Sequence, residues 1–454
     1  MNTASTMPLI RHSLTSHTIH LSILHLLVDG ICACGIMMMS RHILSDIEAY
    51  GIIVLYDVLA FGTQPLTGRW VDANGASPGG LKLAMALLTG GSLISTLSDL
   101  LTILIAAAGA TLLGMGNSIF HVYGGKYVAV VSHNDIRAMG VFVSTGTVGL
   151  AIGLGFSSPT LLAMLVLAFL ALSFLHLRNA YRQNATTHLG PSPINTGLKL
   201  TSTQVPYSIP ILYLSCLMLV VTGRAFIGES IPSLRTSPSS ISAPWVMVMV
   251  SVIVMAGKAA GGFLSKWWGV RNVFCVSLLL SAAVFLMYPW HDAFVVITIF
   301  LINLSMPCTL YLATKAVPGR EGWTFGLLAM ALLPGYLLGY LCKDDATYQA
   351  LLMPLMATLL LESLLLLYMR EHRWQVLAAS VVLNIFTNVP LNAFIMTYEV
   401  TSPLYLVGLE CVVVMIEFIG YWFVLHNRYR AFKYSFLCNS FSAIVGCLCQ
   451  YLLN

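Results

Sequence analysis

The sequence predicts an all-α polytopic membrane protein, with two six-helix bundles followed by about three further transmembrane helices. Of its 454 residues, 58% are hydrophobic and only 9% are charged, whereas a soluble domain carries about 25% charged residues. The apolar runs are close to the roughly 20 residues that a helix needs to cross a bilayer. A short turn of glycines around one charge also occurs twice, at equivalent places in two halves of the chain.

Fifteen apolar runs divide the chain into four segments. We predict an N-terminal six-helix bundle at 1–177, a cytoplasmic linker at 178–208, a C-terminal six-helix bundle at 209–370 and a three-helix appendage at 371–454. The linker is polar and contains several Pro, Ser, Thr and Asn residues. In chain order, the expected spanning helices are 19–40, 47–66, 80–98, 100–122, 138–157, 159–177, 209–228, 243–264, 272–289, 293–314, 323–342, 348–369, 374–397, 403–425 and 432–453.

The distribution of basic residues predicts the orientation. With the N-terminus in the cytoplasm and alternating helices, 17 of the 22 Lys and Arg residues fall on the cytoplasmic side and three on the outside, while Arg224 and Lys258 lie within helices. Cytoplasmic loops of membrane proteins carry such an excess of Lys and Arg. The N-terminus is therefore expected inside and the C-terminus outside. The net charge of +5 is then a topology signal and does not indicate nucleic-acid binding.

The repeated turn is Gly68-Arg-Trp-Val-Asp72-Ala-Asn-Gly75 after the second predicted helix, and Gly262-Phe-Leu-Ser-Lys266-Trp-Trp-Gly269 after the eighth. Glycine tolerates the positive φ values that tight turns often need. Two copies at equivalent places indicate a duplicated membrane domain.

Polar residues within the apolar runs are the candidates for function, because a charge in mid-membrane costs on the order of 2.5–3.5 kcal/mol. His25 and Asp29 are one helical turn apart, and so are Asn117 and His121. Each has a structural alternative: the histidines and Asp29 can brace helices, and Lys258 can extend to the membrane surface. The predicted substrate or proton-coupling residues are His25, Asp29, Asp57, Asn117, His121, Arg224 and Lys258.

The six-plus-six arrangement and the turn containing Asp72 resemble the major facilitator superfamily, in which this turn latches the two halves together. The resemblance implies that both repeated turns act as gating turns, through Gly68, Asp72, Gly75, Gly262, Lys266 and Gly269. The run Gly114-Met-Gly116-Asn117-Ser-Ile-Phe120-His121 is similar to Gly-x-Gly-Ser-x-x-Phe-His in its fosmidomycin-resistance efflux subgroup, and His25-x-x-x-Asp29 resembles that subgroup's first helix. The resemblance covers about residues 18–370. The chain departs from it where Lys266 replaces an acid and where Val122-Tyr123 replaces Pro-Glu.

The resemblance implies a secondary active transporter that works by alternating access in a plasma membrane, namely the inner membrane of a bacterium. It implies export of a small organic molecule, driven by protons that move in the opposite direction. The expected partners are the lipid bilayer, the small-molecule substrate and protons, with no nucleic acid. No cofactor or metal site is expected, because the cysteines lack histidine partners at zinc-site spacing.

Two other functions stay open. A membrane-embedded enzyme acting on a lipid-linked substrate would need catalytic groups clustered at one membrane surface, and the short loops offer only isolated ones; we therefore predict no enzymatic activity. A transporter-like sensor or scaffold would use the last three helices as a partner surface. Those helices carry polar residues that we expect to hold them together: Glu410, Glu417, Asn384, Asn388 and Asn392.

Overall fold

A computed structural model describes residues 8–42, 45–97, 102–182, 208–230, 243–285, 293–341, 383, 387, 391, 403–425, 427–436 and 439. All regular secondary structure in these residues is helical. The described residues contain eight helical stretches that are long and apolar enough to cross a membrane, and four of these stretches consist of more than one helix. The predicted all-α membrane class is therefore confirmed.

The first six predicted runs coincide with helices or with pairs of helices. The second run contains a π-helical segment at Val58–Gly62, and the fifth run is divided at Thr145. Both interruptions lie inside candidate membrane spans. The helices are α1 (Pro8–His42), α2 (Asp46–Asp57), α3 (Gln64–Asn74), α4 (Pro78–Ser95), α5 (Ile103–Val131), α6 (Ile136–Ser144), α7 (Gly146–Gly155) and α8 (Pro159–Arg182).

The next five runs and the run at 403–425 also coincide with helices. These are α9 (Ser208–Ser230), α10 (Ala243–Trp268), α11 (Val270–Phe285), α12 (Ala293–Asn303), α13 (Ser305–Ala316), α14 (Glu321–Met330), α15 (Leu332–Leu341) and α16 (Pro403–Leu425). Residues 428–436 are helical as well. The predicted helix at 348–369, nearly all of the one at 374–397 and most of the linker lie outside the described residues.

Two helix breaks in the second half have a local cause. Proline has no N–H and its ring clashes with the carbonyl group four residues earlier, so it interrupts a helix at that point. Pro307 lies four residues after Asn303, where α12 ends, and Pro334 lies four residues after Met330, where α14 ends. These two membrane-spanning runs are therefore each divided into two helices.

The described helices fall into two compact units, and one of them comprises residues 1–199, 237–269 and 303–333. In this unit α1 lies against α5, α7 and α8. Two glycines of α7 let its backbone contact α1 directly. A Cβ atom at Gly149 would lie 2.7 Å from the carbonyl carbon of Leu26, and one at Gly153 would lie 2.7 Å from Cβ of Ala33. Small residues at such positions permit close helix packing in membranes.

The other unit comprises residues 200–236, 270–302 and 334–454. In it, the buried carboxylate of Glu417 on α16 accepts hydrogen bonds from Oγ1 of Thr387 at 2.9 Å and from Nδ2 of Asn439 at 2.7 Å. Glu417 therefore joins polar groups of the last three predicted helices. The side chains of Glu410, Asn384, Asn388 and Asn392 lie outside the described part of the chain. The predicted domain boundaries remain predictions.

Candidate functional site

A buried polar cluster forms where α1 meets α5. His25 and Asp29 share one face of α1, and Asn117 and His121 share one face of α5, because residues four apart on a helix are neighbours. The contact between the two helices brings these pairs together. Nε2 of His25 lies 3.3 Å from Oδ2 of Asp29, and Nε2 of His121 lies 3.3 Å from Oδ1 of the same carboxylate. We call these four residues the α1–α5 cluster.

Hydrogen bonds fix the tautomer of both histidines. Nδ1 of His25 lies 2.7 Å from the carbonyl oxygen of Phe142, and Nδ1 of His121 lies 3.0 Å from the carbonyl oxygen of Asn117. A carbonyl oxygen only accepts, so each Nδ1 carries a hydrogen and donates it. The two rings are also perpendicular to each other, with centroids 4.5 Å apart. Each histidine therefore presents its Nε2 atom to Asp29.

Asn117 connects the α1–α5 cluster to α2. Its Nδ2 group is within hydrogen-bonding distance of Oδ1 of Asp29 at 3.3 Å, of the Tyr56 hydroxyl at 3.1 Å and of Sγ of Cys32 at 3.6 Å. Its Oδ1 atom is buried and has no hydrogen-bond partner. The amide thus contacts the Asp29 carboxylate among groups of three helices, α1, α2 and α5.

Asp57 lies one residue beyond Tyr56, at the end of α2 and directly before the π-helical segment. Its side chain is half-buried and it lies near the middle of the 29-residue candidate span Asp46–Asn74. Single π-helical turns inside α-helices occur frequently at functional sites. The α2 residue seen in contact with the α1–α5 cluster is Tyr56, however, and the predicted function of Asp57 stays a prediction.

The two cations predicted to lie within membrane helices, Lys258 and Arg224, have different surroundings. Lys258 on α10 is half-buried and close enough to interact electrostatically with Asp29 and His121. Arg224 on α9 is buried and belongs to the second compact unit. Of the predicted substrate or coupling residues, the structure thus brings together His25, Asp29, Asn117 and His121, with Lys258 nearby.

Gly146, the first residue of α7, has no side chain and so leaves room for His25 and Asp29 of the α1–α5 cluster. A Cβ atom at this position would collide with the Asp29 carboxylate and would lie 2.5 Å from Nε2 of His25. No sequence pattern distinguishes Gly146 from the packing glycines of the same helix. Its proximity to the charged groups identifies it as a further candidate site residue.

The first repeated turn is helical as far as Asn74, where α3 ends, and the second is helical as far as Trp268, where α10 ends, so the predicted turns are confined to the glycines that follow. The first repeated turn caps a helix from the other half of the sequence. The Asp72 carboxylate accepts hydrogen bonds from the backbone N–H groups of Gly322 at 2.9 Å and Trp323 at 2.8 Å. These residues belong to the first turn of α14, where N–H groups lack partners within the helix and the helix dipole favours an anion. Gly68 permits this approach, because a Cβ atom there would lie 2.7 Å from the carbonyl carbon of Gly322. Gly75 ends α3 with a φ of 74°.

Lys126 is a buried partner of Asp72 that the sequence interpretation placed wrongly. The predicted fourth helix ends at residue 122, with Lys126 in a cytoplasmic loop, but α5 continues to Val131. The side chain of Lys126 is only 1% exposed, and Nζ lies 2.9 Å from Oδ1 of Asp72. The last part of α5 therefore contains a charged residue whose charge is paired inside the protein.

The second repeated turn also packs against a helix start from the other half. A Cβ atom at Gly262 would lie 2.8 Å from the carbonyl oxygen of Ile136, where α6 begins. Gly269 has a φ of 88°. Lys266 is exposed and does not cap a helix as Asp72 does. Both turns therefore pack a glycine against the start of a helix in the opposite half, while their charged residues differ in role.

A surface pair lies beside this second contact. The Arg137 guanidinium hydrogen-bonds the carboxylate of Asp135, with a shortest distance of 2.6 Å, and this lowers the pKa of that carboxyl; the charge of Lys266 lowers it further. Asp135 thus provides a negative charge near Lys266 at the connection between α5 and α6.

Comparisons with known proteins support the fold. No protein-family model and no curated protein sequence matches the chain. Among solved structures, it is similar to the fucose:proton symporter FucP of E. coli, at 13% identity and a TM-score of 0.55, over 82% of this chain and 98% of that one. It is also similar to the human organic anion transporter MFSD10 (TETRAN), at 15% identity and a TM-score of 0.52, over 82% and 98% of the two chains.

A third similar structure is a bacterial homologue of the iron transporter ferroportin, in an outward-facing state with soaked iron. It has 15% identity and a TM-score of 0.52, over 76% of this chain and 97% of that one. At such identities the likeness concerns the fold. The chain is a membrane protein with a helix bundle of the major facilitator type, as the sequence predicted.

Proposed function

We propose that this protein is a secondary active transporter of the major facilitator superfamily. It works by alternating access, in which two helix bundles expose a central site first to one side of the membrane and then to the other. It exports a small organic molecule from the cytoplasm in exchange for protons. The N-terminus lies inside the cell and the C-terminus outside.

The α1–α5 cluster is the observation that carries this proposal. Polar and ionisable groups inside a membrane are expensive and usually mark a substrate or ion pathway. Asp29 has two histidines within 3.3 Å, inside helices that are long enough to span a bilayer. Well-packed apolar residues stabilise a protein interior as well as a buried ion pair or better. A functional role therefore accounts for these residues better than a structural one.

The repeated turns provide a physical basis for gating. Asp72 binds the start of α14, and Gly262 packs against the start of α6. Each contact joins helices from opposite halves of the sequence, at the cytoplasmic ends according to the predicted topology. Breaking such contacts is required if the halves are to separate on that side. The gating role predicted for both turns is therefore part of the proposal.

Asp57 is the proposed proton carrier. Its carboxyl group lies near the middle of a candidate membrane span and directly precedes the π-helical segment. It is half-buried, so it can exchange protons with water that enters from either side. Transporters named for a sugar, an organic anion and iron share this fold, which supports transport but does not select the solute.

The proposal is tested with purified protein in lipid vesicles, using a panel of labelled organic compounds with and without a pH gradient. We expect gradient-driven movement of at least one compound, recovered without chemical change. Asp57→Asn should abolish the gradient-driven component. The matched control is Asp46→Asn, which alters an exposed carboxylate at the start of the same helix and should transport normally. Normal gradient-driven transport by Asp57→Asn would exclude Asp57 as the carrier.

A further inference from the structure

Three hydrogen-bond acceptors converge in the α1–α5 cluster. Each histidine donates its Nδ1 hydrogen to a backbone carbonyl, so in the neutral rings the Nε2 atoms of His25 and His121 carry lone pairs. The carboxylate of Asp29 is an acceptor as well. One ligand atom from each of these three residues lies within 4.8 Å of the others. Such an arrangement is repulsive unless a proton or a metal ion lies between the atoms.

We propose that His25, Asp29 and His121 bind a divalent first-row transition-metal ion such as Zn²⁺ or Co²⁺. The donor set of two imidazoles and one carboxylate suits these ions, which prefer nitrogen and oxygen ligands of intermediate softness. The spacing of single residues in the sequence could not reveal this site, because His121 lies on a different helix from His25 and Asp29. The proposal concerns binding and does not depend on transport.

The distances fit direct coordination. Zinc binds histidine nitrogen at about 2.0–2.1 Å and carboxylate oxygen at similar distances, so neighbouring ligands of a tetrahedral ion are about 3.3 Å apart. Nε2 of His25 lies 3.3 Å from Oδ2 of Asp29, and Nε2 of His121 lies 3.3 Å from Oδ1, so each histidine is at this spacing from one oxygen of the carboxylate. The three ligand atoms lie within 4.8 Å of one another, so the side chains would have to close on an ion placed between them.

The surroundings of the ligands also match those of metal sites. A metal-binding histidine almost always donates its other ring N–H to a carbonyl or carboxylate, which fixes the ring and its tautomer. Both histidines do so here. Asn117 in turn donates to the Asp29 carboxylate, as ligating carboxylates are themselves hydrogen-bonded. The second layer of a metal site is therefore already in place.

The site is accessible and leaves coordination positions open. The Asp29 side chain is 18% exposed, while those of His25 and His121 are 7% and 10% exposed. An ion can therefore reach the cluster on the side of the carboxylate. Three protein ligands with water in the remaining position are typical of open zinc sites. Asn117 provides a further buried oxygen without a hydrogen-bond partner.

Binding is measured on the full-length protein in detergent, after treatment with a chelator. Zn²⁺ is titrated by calorimetry, and Co²⁺ by its visible absorption, which reports nitrogen and oxygen coordination. We expect one ion per chain in this site. Asp29→Asn and His121→Gln should each weaken binding at least tenfold, because each removes one of three ligands. The control His133→Gln changes an exposed histidine in the turn after α5 and should bind as the unmodified protein does.

Two further variants separate coordination from a general loss of structure. His121→Cys keeps a ligand but makes it a thiolate, which should give the bound Co²⁺ a sulfur charge-transfer band in the near ultraviolet. Lys258→Gln removes a cation that interacts with the cluster, so it should tighten metal binding severalfold. A protein that has lost its fold would show neither effect.

The outcomes are distinct. Absence of saturable binding to the unmodified protein would overturn the metal site, and so would unchanged binding by both Asp29→Asn and His121→Gln. A protein that binds no metal but still moves solutes in a pH gradient would contradict the metal site alone. A protein that binds metal but moves no solute would contradict the proposed function alone.

Discussion

The Asp72 carboxylate accepts a hydrogen bond from the backbone N–H of Gly322, a residue 250 positions further along the chain. The same carboxylate pairs with the buried ammonium group of Lys126. One side chain thus joins the first repeated turn to α5 and to the start of α14.

Asp72→Ala should destabilise the protein more than any change confined to the surface. It leaves Lys126 buried without its carboxylate, and breaking a buried ion pair by removing one partner costs about 3–5 kcal/mol. The double variant Asp72→Ala with Lys126→Met should recover part of this loss, because it also removes the uncompensated charge. Thermal unfolding in detergent, followed by intrinsic fluorescence, measures both. Equal destabilisation by the single and double variants would argue against the ion pair as the source.

Gly68→Ala should lower the Tm and slow any transport, because its Cβ atom would collide with the backbone at Gly322, which cannot easily shift. Gly51→Ala is the matched control, because Gly51 lies in the same candidate membrane span, Asp46–Asn74. A Cβ atom at Gly51 meets nothing within 4 Å, so this change should be neutral or stabilising by about 0.5–1 kcal/mol. If both variants unfold at the temperature of the unmodified protein, the close contact between Gly68 and α14 is wrong.

The orientation is tested by cysteine labelling with a membrane-impermeant reagent. Among the described cysteines, Cys411 is exposed whereas Cys32, Cys34, Cys275 and Cys308 are buried. The background therefore carries Ser in place of Cys411 and of the five remaining cysteines, Cys216, Cys342, Cys438, Cys447 and Cys449. Ser192→Cys in the linker should react only from the cytoplasmic side. Ser45→Cys, in the exposed connection before α2, should react only from the outside. Labelling of the linker from the outside would invert the proposed topology and, with it, the direction of export.

The fold class could be predicted because bilayer thickness sets helix length and because charge bias sets topology. Helices α1 to α15 therefore lie close to the predicted runs. Their ends were less predictable: α5 extends to Val131 because Lys126 pairs with Asp72 inside the protein. Hydropathy alone cannot distinguish a paired charge within a helix from a charged loop residue.

The candidate site was predictable in part. Helical periodicity placed His25 with Asp29 and Asn117 with His121, each on one face. It could not show that these faces meet, because that depends on how α1 packs against α5. The role of Gly146 was equally hidden, since its importance comes from its distance to Asp29 and His25. The tautomers of both histidines depend on backbone carbonyls that no sequence pattern marks.

The close approach between α1 and α7 constrains how the protein can move. With Gly149 and Gly153 placing one backbone directly on the other, sliding of these helices would force main chain into main chain. They should behave as a single rigid lever, and the hinge must lie elsewhere. Spin labels on α1 and α7 should keep a constant separation when a solute is added; a change of several ångströms would show that the lever bends.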